Sequence, residues 1–176
     1  MNKKFWFTAD EHFSHFKILE YSKRPFKTVE DMDDVIIKNH NEVVGVDDIV
    51  YHLGDFTLIK EYPHKYINRL NGNHIFIQGG HDYWMKEDKY DQIKEIKIEG
   101  QVIVLCHYMM SIWPGSHYNS WHLFGHSHGR STEVGKSLDV GVDTEKYGHK
   151  RFYPYSFDEI KAIMKLKGDN FNKLKE

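Results

Sequence analysis

Five short β-rich runs in this chain each break off into aspartate and histidine. Lys4–Thr8 leads through Ala9 into Asp10-Glu11-His12, Ile49–Leu53 into Gly54-Asp55, and His74–Gln78 into Gly79-Gly80-His81-Asp82. Val102–Leu105 leads through Cys106 into His107, and His122–Phe124 into Gly125-His126-Ser127-His128. Each run is about the usual length of a strand. In open α/β sheets, ligands gather beyond the carboxyl ends of the strands. Five chemically similar endings therefore predict one shared site. One such ending alone reads as a capped turn or a surface histidine; five together do not.

Helical patterns fall between some of these runs. Thr28-Val29-Glu30-Asp31 has the form of a capping box with Asp in the last place, and Val29, Met32, Ile36 and Val43 follow at helical spacing. Ser156-Phe157-Asp158-Glu159 is a second cap, followed by Ile160, Ile163 and Met164, with Gly168 as the stop. Glu99-Gly100 marks a hairpin, and Leu138–Val142 a further strand. Strand–helix alternation that gives way to β-rich sequence predicts an α/β fold with a mixed sheet.

Composition narrows the function. The 176 residues predict one domain over 1–176, and 40% hydrophobic residues with 15% aromatics exclude a disordered chain. A formal net charge of −2 and only four arginines argue against strong non-specific nucleic-acid binding. The single cysteine, Cys106, cannot form an internal disulfide, and on a strand beside His107 it is expected to be buried. No apolar run reaches the length of a signal-peptide core or a membrane span, so a cytoplasmic location without a membrane partner is expected.

The thirteen histidines are the unusual feature. Asp10 and His12, two apart at a strand end, are expected to point to one side, as are His126 and His128 with Ser127 facing away. Asp55 offers a carboxylate able to bridge two ions, and His107 a further nitrogen. Carboxylate and imidazole donors suit Mn, Fe, Zn or Ni better than a thiolate site would.

These residues resemble the five ordered motifs of the calcineurin-like metallophosphoesterases: Asp10-x-His12, Gly54-Asp55, Gly79-Gly80-His81-Asp82, His107 and Gly125-His126-x-His128. Thr8–His15, Arg24-Pro25-Phe26 and Tyr51–Phe56 further resemble a compact bacterial and phage branch. The resemblance implies a β-sandwich of mixed sheets flanked by helices, in four α/β/β/α layers. It implies that Asp10, His12 and His128 hold one divalent ion, that His107 and His126 hold a second, and that Asp55 bridges them. Manganese is the first expectation, with Fe, Zn, Ni or Mg as alternatives. His81 would sit by the scissile phosphate, and a hydroxide bridging the ions would attack phosphorus. The family places an Asn ligand where this chain has Gly80, so the second ion loses one protein donor.

The reaction so implied is phosphoester hydrolysis, in particular of a nucleotide, a nucleic-acid end or another small phosphodiester. A metal-binding scaffold with little turnover is the competing class, and Gly80 is its sequence feature. A metal amidohydrolase fits less well, because its resemblance would put His-x-His on the first strand. Arg130 is read as a phosphate contact or a solvated arginine, and Trp84 as a stacking platform or core filler. Asp82, His15 and His52 are read as hydrogen-bond partners behind the ligands or as polar residues at the rim.

Overall fold

The computed structural model describes residues 3–85 and 89–174. Strands β1 (Phe5–Thr8), β2 (Ile49–His52), β3 (Asn73–Phe76) and β8 (Tyr155–Ser156) form one sheet in the order β3-β2-β1-β8. Strands β4 (Ile93–Ile98), β5 (Gln101–Cys106), β6 (Trp121–Phe124) and β7 (Ser137–Asp139) form the other, in chain order. β1, β2 and β3 are mutually parallel, as are β5, β6 and β7. β8 and β4 are the antiparallel edges. The expected Glu99-Gly100 hairpin joins β4 to β5. The result is two mixed sheets flanked by helices.

Alternation along the strands builds the core. Phe7, Tyr51, Leu53, Ile103, Leu105 and Leu123 turn to the space between the sheets and are buried there. Helix α4 (Phe157–Leu166) adds Ile160, Ile163 and Met164 to that same cluster, and the Ser156 hydroxyl accepts the Glu159 N–H at its start. Helix α2 (Val29–Val43) is capped by Thr28, whose hydroxyl accepts the Asp31 N–H at 3.1 Å. Its Met32, Ile36 and Ile37 pack with Phe13, Phe56 and Tyr66 in a second cluster. Two one-turn helices, α1 (Ile18–Tyr21) and α3 (His64–Ile67), carry too little periodicity to be read from sequence.

The register brings the strand ends level. Thr8 pairs with His52 and His52 with Phe76, while Phe124 pairs with Asp139. Beyond these ends the two sheets join: Ala9 bridges to Gly141, and the Val142 N–H donates to the Ala9 carbonyl at 3.0 Å. All five motif loops thus emerge at one rim. No helix among the described residues is long and apolar enough to cross a membrane.

Candidate metal centre

Asp10, His12 and His128 bring one donor atom each within 4.8 Å of one another, and Asp55, His107 and His126 do the same. Asp55 stands between the two triads. Its Oδ2 lies 3.3 Å from His107 Nε2 on one side and 3.6 Å from His12 Nε2 on the other. Both nitrogens are buried without a hydrogen-bond partner among the described residues. Leaving such atoms unsatisfied costs about 1–3 kcal/mol each. Two cations flanking Asp55 would satisfy both.

The loops reach this geometry by a backbone route that spacing does not show. Asp10, His12, Asp55, His126 and His128 all have left-handed φ, between 48° and 64°. The expected strand-like alternation of Asp10 with His12, and of His126 with His128, is therefore replaced by tight turns. That conformation costs an ordinary L-residue about 1–2 kcal/mol, less for Asp and His, whose polar side chains bond locally. His107, at the end of β5, is not among them.

The imidazoles are fixed by what their other nitrogens hold. His107 Nδ1–H donates to the Leu53 carbonyl at 2.8 Å, and His128 Nδ1–H to Asp143 Oδ2 at 2.7 Å. Each arrangement frees Nε2 for an ion, the usual arrangement behind a ligating histidine. Asp143 is in turn gripped by the buried Arg24, through Nε at 3.0 Å and Nη2 at 2.8 Å. Arg24 also donates to the carbonyls of Asp10 at 2.6 Å and Glu11 at 2.8 Å. One arginine thus ties the first motif loop to the last. Asp143 is absent from the sequence-derived set, although the run Leu138–Val142 ends on it just as the others end on aspartate or histidine.

Electrostatics point the same way. Burial pushes the Asp10 carboxyl well above the ordinary range, and the charges of Asp139, Asp55, Asp143 and Glu11 push it further. Burial would also raise Asp55, but the charge interaction with the adjacent His107 holds it far below its usual value. His12 is driven well down by burial and stays neutral, as a ligand must. This concentration of carboxylates calls for positive charge.

The remaining expected residues divide. His81 has its N–H on Asp55 Oδ1 at 2.8 Å, and its half-exposed ring sets Nε2 3.9 Å from Asp55 Oδ2. His15 joins the cluster, its Nδ1 3.3 Å from His12 Nδ1. Arg130 is exposed and lines a cavity of about 360 Å³ beside His128, with Lys23 and Arg151. Asp82 is a hydrogen-bond partner behind the Asp55 loop: its carboxylate accepts the N–H groups of Asp55 at 2.7 Å, Phe56 at 2.9 Å and Gly79 at 2.9 Å, so it clamps two motif loops. His52 bonds Glu11 at 2.6 Å and His74 at 2.9 Å, in a buried group behind β2 rather than behind a ligand. Trp84 is buried among Phe56, Tyr62, Phe76 and Tyr90, and packing leaves its ring no free face for stacking. Cys106 is buried, as expected.

Gly79 and Gly80 differ in kind. A Cβ on Gly79 would run into the backbone and carboxylate of Asp55, so close approach demands glycine there. A Cβ on Gly80 would meet one atom within 4 Å, the Tyr108 hydroxyl oxygen at 3.1 Å.

Two sheets joined at one rim carry two donor triads beside one carboxylate, the arrangement that the motif resemblance to calcineurin-like metallophosphoesterases implies. Over 172 residues the chain is 33% identical to the uncharacterized protein MJ1445 of Methanocaldococcus jannaschii, covering 92% of each, and it belongs to the family of that protein. The fold is similar to that of AQ665 from Aquifex aeolicus, a protein of unknown function, with a TM-score of 0.66 and 24% identity over 92% of this chain and all of that one. A novel archaeal phosphodiesterase gives a TM-score of 0.47 at 17% identity, over 88% of this chain and 98% of its own. No family model matches the chain.

Proposed function

We propose that this protein is a divalent-metal-dependent phosphodiesterase acting on a small substrate such as a nucleotide or a nucleic-acid end. The observation that carries the reading is the pair of buried, unpartnered nitrogens, His12 Nε2 and His107 Nε2, on either side of Asp55 Oδ2. Asp10, His12, Asp55 and His128 would hold one ion, and Asp55, His107 and His126 the other. Two bound divalent ions polarise a phosphoryl oxygen and make water nucleophilic near neutral pH. Imidazole and carboxylate together suit manganese, with iron, zinc and nickel behind it.

The chain supplies positioning and a proton. His81 is fixed to Asp55 through its backbone and leaves a half-exposed ring over the shared carboxylate. Its Nδ1 has no partner among the described residues. Such an imidazole can protonate a departing ester oxygen, a contribution of roughly 10²–10⁴-fold. Arg130, on the cavity beside His128, can steady a phosphate oxygen. The mild net charge and lone cysteine fit a cytoplasmic enzyme that handles small anions.

A metal-binding scaffold of the same fold is the second reading, favoured by Gly80, which gives the second ion one protein donor fewer than the family pattern. Metal titration by calorimetry, paired with hydrolysis of bis(p-nitrophenyl) phosphate, separates the two. Two binding events with metal-dependent hydrolysis that Asp55→Asn abolishes support the enzyme. Two binding events without hydrolysis of any phosphoester support the scaffold, and absence of binding removes both.

A further inference from the structure

A cavity of about 430 Å³ opens on the Gly80 side of the metal centre. Gly80 and Tyr108 line it, with Gln78, Gln92, Ile93, Cys106 and Met110 among the other wall residues. It borders the second triad directly. The Tyr108 ring stands edge-on to both His107 and His126, with centroids 4.8 Å from each. The chain departs from its family pattern at this same wall, since a side chain at residue 80 would press on the Tyr108 hydroxyl at 3.1 Å.

The two flanks of the centre differ in chemistry. The cavity beside His128 is strongly charged, with Lys23, Arg130 and Arg151 alongside Asp143 and Glu145. Among the described residues the Gly80 cavity has no lysine, arginine or carboxylate in its wall; it offers an aromatic edge, aliphatic and sulfur-bearing side chains and the amides of Gln78 and Gln92. A concave, mainly apolar wall with a few polar groups is what a planar organic ring needs. We propose that this cavity seats the aryl or base portion of the phosphoester, with Tyr108 as its wall and Gly80 as the residue that leaves room for it. The inference rests on the phosphoesterase reading, which places the phosphoryl group at the two triads.

Two probes that cannot be hydrolysed test it: phenylphosphonate and methylphosphonate, titrated calorimetrically into manganese-loaded protein. They share the anionic head and differ in the ring. Partial burial of a ring predicts about tenfold tighter binding of phenylphosphonate. Met110→Trp, which fills the cavity, should bring the ratio of the two affinities close to one while leaving methylphosphonate unchanged. Gly80→Asn should lower the same ratio by displacing Tyr108, even if the added amide strengthens metal binding. Equal affinities in the parent protein, or a ratio that survives Met110→Trp, overturn the ring site and leave the phosphoesterase reading intact. Binding of neither probe overturns both.

Discussion

At His81 the backbone and the ring do separate things, and substitution can part them. The N–H holds Asp55 whatever the side chain, so His81→Ala should leave metal stoichiometry unchanged in elemental analysis. Turnover of an alkyl phosphodiester should fall by about 10²-fold or more, and that of a nitrophenyl ester by less, because its leaving group needs little protonation. Loss of metal from the variant would instead make His81 a ligand. Asp143 acts one atom further back. Asp143→Asn weakens the acceptor that orients His128 and leaves Arg24 less well matched, so affinity for the first ion should fall about 10–100-fold while the second binding event persists. A competition titration reads this directly. An unchanged first affinity would show that His128 needs no such support.

Among the elements, the strand ends were legible because short apolar runs stop abruptly at polar residues, and both caps were legible because Thr28 and Ser156 stand three residues before the N–H they accept. What was not legible depends on distance or on backbone sign. Arg24 and Asp143 meet across 119 positions, and no local pattern announces the pairing. The turns at His12 and His128 break the alternation that an i, i+2 spacing implies. Trp84 follows a motif loop in sequence yet folds beneath it. Strand β6 shows how a histidine can serve an element rather than the site. His122 Nδ1–H donates to the Val104 carbonyl at 3.1 Å, and Nε2 accepts the Met110 N–H at 3.1 Å, so the neutral ring ties β6 to β5 and to the following loop. Burial pushes its pKa down to about 4. The unfolded chain takes up this proton near pH 6.5 and the folded chain only near 4, so His122 costs stability as pH falls through that interval. Denaturation of the parent and of His122→Gln should therefore show the parent losing ground steadily between pH 6.5 and 4. A constant difference would mean that His122 titrates alike in both states.

Over the whole molecule, carboxylates buried at one rim oppose folding until countercharge arrives. Manganese added to chelator-treated protein should raise the melting temperature, with about 2.7 kcal/mol of stabilisation expected at a hundredfold excess over the dissociation constant. Calorimetric scans across a metal series would expose a flat response if the rim binds nothing. The left-handed turns carry a different consequence. A sequence chosen only for foldability would place glycine at positions 12, 126 and 128, because glycine alone adopts such angles without a Cβ penalty. His126 is exposed, so its ring adds little packing to set against that penalty. His126→Gly, scanned without metal, should melt at or above the parent, by up to about 1 kcal/mol, while losing the second ion. A lower melting point would show that the ring supports the loop by itself. Robustness and reactivity thus pull against each other at single residues here, and random drift toward a sturdier protein would pass through loss of the donors first.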